Sequence, residues 1–222
     1  MKLTLVDEHN QPYRAPYLVR LGGWTLERYL AEAPEYPFCE FVREEVVMYS
    51  PATAEHQDLV RFLVRLLDGY CEARGWGKVL MGPAAVKISP DVVREPDLFV
   101  LPPEEVPRAK GVPLEVRPAL VIEVLSPATR TADLKEKPED YALAGIPEYW
   151  AVDPEEKRVV VHRLLSAPKH APAYAVQRMT SGRLEAPTVP GFWLLVEWLW
   201  QEPLPPVAGC LEAVLGRGEK KA

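Results

Sequence analysis

Ala119-Leu120-Val121-Ile122-Glu123-Val124-Leu125 is an apolar run interrupted by a single carboxylate. Its length and branched side chains predict a fully buried strand. Alternation places Leu120, Ile122 and Val124 on one face and Val121, Glu123 and Leu125 on the other, so neither face is polar. A bare carboxylate in such surroundings costs several kcal/mol, by rough estimate, and must be neutralised, ion-paired or bound to a metal. Upstream, Pro96-Asp97 precedes a second apolar run, Leu98-Phe99-Val100-Leu101, and places an aspartate at the mouth of a neighbouring strand. Two acids from adjacent strands are what a divalent cation needs.

Outward from these strands, Met1 to Arg20 reads as an irregular or strand-forming arm broken by Pro12 and Pro16. Thr25 caps a helix over Leu26 to Ala33, ended by Pro34 and Pro37. Phe38 to Tyr49 predicts a hairpin turning at Arg43-Glu44-Glu45. A helix with the stripe His56, Leu59, Val60, Leu63, Leu66, Leu67 and Tyr70 runs to about Glu72, closed by Gly75 and Gly77. Lys78 to Met81 and Ala84 to Ile88 are short strands, and Pro102 to Pro118 is a loop with room for a helical turn at Glu104-Glu105. Thr129 or Thr131 caps a helix reaching Ala144, with Gly145 as its stop; Pro138 inside it is tolerable in a first turn and otherwise kinks it. Strands follow at Glu148 to Val152, Arg158 to Leu164 and Tyr174 to Met179. The tail Phe192-Trp193-Leu194-Leu195-Val196-Glu197-Trp198-Leu199-Trp200 is apolar on nearly every side and reads as packed core or a subunit interface.

The 222 residues suit one α/β domain, expected over 1–222. A net charge of −6 and a pI near 5.4 argue against binding nucleic acid by bulk electrostatics, leaving a local patch or a metal to meet any polyanion. Cys39, Cys71 and Cys210 are far apart, odd in number and in no CxxC spacing, which argues against structural zinc and a disulfide framework. No signal peptide and no run long enough to span a bilayer is visible; the expectation is a cytoplasmic protein with no membrane partner. Neither a phosphate-cradling glycine loop nor a serine nucleophile elbow is present. The 24 prolines and the single asparagine, Asn10, fit heat adaptation or a GC-rich genome equally well.

Ordered residues from Phe38 to Leu164 resemble the Uma-type putative restriction endonuclease family, a branch of the PD-(D/E)XK nuclease superfamily. They are Glu40, Ser50-Pro51, Glu55-His56, Arg94-Glu95-Pro96-Asp97 and Val121-Ile122-Glu123-Val124-Leu125-Ser126-Pro127. Asp133, Lys137, Tyr141, Gly145-Ile146-Pro147-Glu148-Tyr149-Trp150 and Val152-Asp153-Pro154 continue the series, and Pro190-Gly191-Phe192 extends it into the tail. The resemblance implies a restriction-endonuclease-like mixed β-sheet flanked by α-helices, with a core over about 24–185 and an apolar C-terminal segment at 186–222. It also implies hydrolysis of DNA phosphodiesters with Mg2+ or Mn2+ held by Asp97, Glu123 and a carbonyl such as that of Val124. The lysine expected two residues after Glu123 is Leu125, and Lys137, on one helical face with Asp133 and Tyr141, is its substitute.

Two carboxylates and a carbonyl leave magnesium free positions for a phosphate oxygen and water, while Lys137 orients the nucleophile or screens charge. Glu40, as an acid acting through water, and His56, as proton shuttle or phosphate contact, are further candidates. The bland alternatives are that Glu123 pairs with Lys137 or Lys87 as a structural bridge, and that His56 is a satisfied core histidine. The competing functions are a nuclease-fold module that binds nucleic acid or protein without cutting, and a metal hydrolase for a small phosphorylated substrate. Exposure expected at Trp193, Trp198 and Trp200 predicts a homodimer or larger oligomer.

Overall fold

The computed structural model describes residues 6, 8–12, 16–32, 39–165 and 171–216. The strands are β1 Leu18–Gly22, β2 Cys39–Val42, β3 Glu45–Tyr49, β4 Lys78–Met81, β5 Val86–Ser89, β6 Val92–Arg94 and β7 Leu98–Leu101. They continue as β8 Leu120–Val124, β9 Glu148–Asp153, β10 Arg158–Leu164, β11 Tyr174–Met179, β12 Arg183–Ala186 and β13 Phe192–Leu195. The α-helices are α1 Leu26–Glu32, α2 Ala54–Arg74, α3 Lys137–Leu143 and α4 Val207–Val214.

A six-stranded sheet in the order β11-β10-β9-β8-β7-β4 forms the centre, antiparallel except where β8 and β9 run parallel. The parallel pair needs a crossover, and the segment holding α3 supplies it. The alternation read from residues 119–125 holds. Leu120, Ile122 and Val124 pack with Leu63, Leu66 and Tyr70 of α2, and Val121 and Leu125 pack on the other face with Tyr141 and Tyr149. Burial on both faces explains why this strand carries no polar alternation. The helix α2 is capped as its sequence predicts: the Thr53 hydroxyl accepts a bond from the His56 N–H, and Gly75 closes it in the left-handed region, at φ 60.

A second, five-stranded sheet, β1-β3-β2-β6-β5, carries the predicted hairpin. Arg43 and Glu44, at φ 48 and 68, make the two-residue turn whose twist suits a hairpin. Strand β6 was not visible in the sequence, being three residues long and ending in a charge. The turn expected at Glu104-Glu105 is present, the Glu105 N–H donating to the Pro102 carbonyl at 3.0 Å, and it runs on into a 3-10 turn over Val106–Arg108. Ala33, Phe38 and the two prolines between them lie outside the described residues, as do parts of the N-terminal arm.

The tail corrects one expectation. Phe192–Leu195 pairs with β12 as a hairpin, and Val196–Trp200 is a 3-10 turn. Trp193, Trp198 and Trp200 are half-buried against the α2 side of the core, so the exposed tryptophan face invoked for self-association is not there. The physical reason is that α2 and β8 leave an apolar face to cover, and this segment covers it.

Candidate active site

Antiparallel pairing of β7 with β8 matches Leu98 to Ile122 and so brings Asp97 alongside Glu123. The Asp97 N–H donates to Glu123 Oε2 at 3.2 Å, and the Val124 N–H donates to Asp97 Oδ2 at 2.8 Å. The two acids are thereby tied by each other's backbone. Lys137 arrives from the crossover. Residues Ala132–Glu136 form a π-helical turn, the Lys137 N–H donates to the carbonyl of Ala132 five residues back, and Pro138 falls in the first turn of α3. A proline there removes no bond that α3 needs, and the wide turn before it absorbs the mismatch. Lys137 Nζ then lies 2.7 Å from Glu123 Oε1, to which the Tyr141 hydroxyl also donates at 3.0 Å. Its distances to Asp133 Oδ1 and Glu40 Oε1 are 2.9 and 3.5 Å. The Asp133 contact is off-line for a hydrogen bond and acts as a Coulombic pair, leaving Oδ1 without a hydrogen-bond partner.

The second sheet contributes Glu40 from β2 and Arg94 from β6. Arg94 is fully buried; its Nη1 donates to Glu40 Oε2 at 2.7 Å and its Nη2 to Asp140 Oδ2 at 2.5 Å. The Tyr49 hydroxyl donates to Glu40 Oε2 at 2.8 Å. From α2, His56 Nε2 lies 3.1 Å from Asp97 Oδ2. All five residues singled out in the sequence, Glu40, His56, Asp97, Glu123 and Lys137, line one cavity of about 130 Å³. Lys87 is not among them; it pairs with Glu115 at 2.9 Å. Leu125 is buried in the apolar cluster around Tyr141 and Tyr149. Arg94, Glu95, Tyr49, Asp133 and Tyr141 complete the surroundings. All but Tyr49 belong to the ordered series of residues quoted above, so the signal for them was present and only their roles were unread.

Charge in the cavity is unbalanced. Glu40, Glu95, Asp97, Glu123 and Asp133 line it, and Lys137 is the one lysine or arginine that does. Burial, offset by Lys137 but reinforced by Asp133 and Asp97, pushes the Glu123 carboxyl up to about 8. Burial and the Glu40 charge push Glu95 up to about 7, and its Oε2 has no hydrogen-bond partner. Burial also raises Asp133. Glu40 goes the other way: burial would raise it, but Lys137 and Arg94 together hold it down to about 2. Burial would lower His56, and the adjoining Asp97 more than compensates, so it is raised. Lys137, despite burial, is held well above its ordinary value by Asp133, Glu123 and Glu40.

A family model described as "Putative restriction endonuclease", Uma2, matches residues 26–197. The chain belongs to the Uma2 family. The Uma2 fold is also that of a solved protein, described as a putative nuclease belonging to DUF820 from Anabaena variabilis ATCC 29413. The two superpose with a TM-score of 0.65 at 17% identity, covering 80% of this chain and 97% of that one. No curated protein matches the sequence. Membership in the Uma2 family, whose model is described as a putative restriction endonuclease, supports a nuclease. Among the described residues no helix is long and apolar enough to cross a membrane.

The donor set can be tested against a divalent cation directly. Among the described residues no three histidine, cysteine or acidic side chains converge to hold an ion by themselves. Asp97 Oδ1 nonetheless accepts no hydrogen bond among the described residues, the Asp97 side chain is 25% exposed, and of the five acids lining the cavity only Glu40 has a guanidinium, that of Arg94, in addition to the shared Lys137. An all-oxygen set with few protein ligands fits magnesium or manganese, which keep several waters.

Proposed function

We propose that the chain is a metal-dependent deoxyribonuclease that hydrolyses DNA phosphodiesters, with Asp97 and Glu123 holding Mg2+ or Mn2+. The observation that carries this reading is the surplus of carboxylates around one lysine, beside an aspartate with a free oxygen. When bound, the cation supplies Lewis-acid activation of a phosphate oxygen and lowers the pKa of a bound water. The chain's own groups do the rest. Lys137, held by Glu123 and Asp133, keeps positive charge beside the reacting phosphate. His56, whose Nε2–H donates to Asp97 Oδ2, keeps that carboxylate oriented beside the cavity. Glu40 acts at one remove, its charge divided between Arg94 and Lys137 so that it fixes the lysine's position.

The test is cleavage of DNA substrates with each metal, comparing the wild type with Asp97→Ala and Glu123→Ala. Both variants are expected to lose activity by about 100-fold or more; equal activity in all three removes the assignment. A non-cutting binding module is the second reading, and it is favoured by one observation: both oxygens of Glu123 already accept bonds from the protein. Calorimetric titration separates the two, since a binding module need take up neither magnesium nor manganese at millimolar concentration.

A further inference from the structure

We infer that the site acts on an unpaired DNA strand and excludes intact duplex. The inference rests on the nuclease reading and extends it to the form of the substrate. Three observations on the cavity carry it.

The first is depth. The groups that would meet the scissile phosphate lie below the protein surface, with the Glu123 side chain only 3% exposed on the cavity lining. The sugars and bases on either side of the scissile phosphate must therefore lie at the mouth, and the phosphate must project inward. The Lys137 side chain is only 4% exposed, so the strand has to bring its phosphate below the protein surface.

The second is charge. Duplex DNA carries one negative charge per about 1.7 Å of axis and is held by arrays of lysine and arginine that displace its counterions. No arginine lines this cavity, and its single lysine is shared among Glu40, Glu123 and Asp133. A duplex laid across this mouth meets five acids and one lysine that three of them already share.

The third is the mouth itself. Met81, at the end of the edge strand β4, is 48% exposed, and Pro51 and Ala52, also exposed, lie on the same lining. A thioether and a proline ring offer apolar faces on which unstacked bases can rest, a kind of contact that is independent of sequence and open to single strands. Paired bases, stacked on each other, have no face to offer. A strand that is single, frayed or flipped out gains the stacking and can bend its phosphate inward; a rigid duplex gains neither.

The experiment compares one labelled sequence as a single strand, as a blunt duplex and as a duplex with an unpaired flap, with magnesium and with manganese. Expected are cleavage of the single strand and the flap at least tenfold faster than of the duplex, and at least tenfold tighter binding by fluorescence anisotropy. Met81→Glu is expected to weaken single-strand binding at least fivefold, leaving the thermal transition in place because the side chain is exposed. Duplex cut or bound within twofold of the single strand overturns the inference. If no form is cut under any metal, the nuclease reading fails, and the anisotropy comparison still decides the strand preference by the same tenfold criterion.

Discussion

Two glutamates are buried in adjacent parallel strands of the central sheet, Glu123 on β8 and Glu148 on β9, and they have opposite surroundings. Glu148 is satisfied. Its Oε1 accepts from Trp150 Nε1 at 2.9 Å and Arg163 Nε at 3.2 Å, and its Oε2 accepts from the Thr188 hydroxyl at 2.7 Å. One carboxylate meets one guanidinium and two neutral donors, and the group serves as joinery between β9, β10 and the β12–β13 connection. Glu123 instead shares one lysine with Asp133 and Glu40 and stands beside Asp97 on a cavity. Burial alone therefore does not mark a functional carboxylate; a deficit of counter-charge next to open space does.

The sharpest way to break this contrast is to remove the cation on each side. Lys137→Met leaves three buried carboxylates without their shared charge and is expected to cost about 3–5 kcal/mol in denaturant unfolding, together with activity. Arg163→Met, which removes a partly exposed guanidinium and leaves the buried Glu148 its two neutral donors, should cost less, about 1–3 kcal/mol. Equal losses would mean that the two centres are the same kind of structure.

Removing the acids inverts the pattern. Glu148→Ala strands the Trp150 and Thr188 donors and is expected to destabilise by about 3 kcal/mol, with cleavage per folded molecule within threefold of the wild type. Glu123→Gln eases the crowding of acids but sets its amide NH2 against one of the donors the carboxylate now accepts from, so it should cost about 1–2 kcal/mol, less than Glu148→Ala, while activity is lost. A large stability loss in Glu123→Gln would make Glu123 joinery as well.

The smallest effect tests a third buried titratable group of the same sheet, far from the surplus charge. Burial lowers the pKa of His162, whose ring stacks on Tyr149 with centroids 5.1 Å apart. The folded protein resists protonating it, so no penalty exists while both states are neutral. As pH falls through the ordinary histidine range, the unfolded chain takes the proton first and stability drops. His162→Phe is expected to show a smaller fall in Tm between pH 7 and pH 5.5 than the wild type; identical slopes would remove the histidine from the pH response.

Much of this could be read from the residues. The period-two run around Glu123, the capped stripe of α2 and the order of the quoted motifs carried the central strands, the long helix and the five side chains that line the cavity. Strand β6 and the tail hairpin were not readable, since three residues carry no period and an apolar tail looks alike whether it packs inward or faces a partner. Nor could the sequence separate Glu123 from Glu148, each an acid in an apolar strand.

What the sequence settled by itself was which residues are buried, because burial follows local alternation and helical spacing. Which carboxylate is neutralised by its neighbours and which is left short of charge was decided only by the packing of two sheets and a crossover helix. Lys137, fourteen residues from Glu123, and Glu40, eighty-three residues away, meet it through that packing alone. Electrostatic balance is summed over everything within a few ångströms, and distance along the chain does not report it.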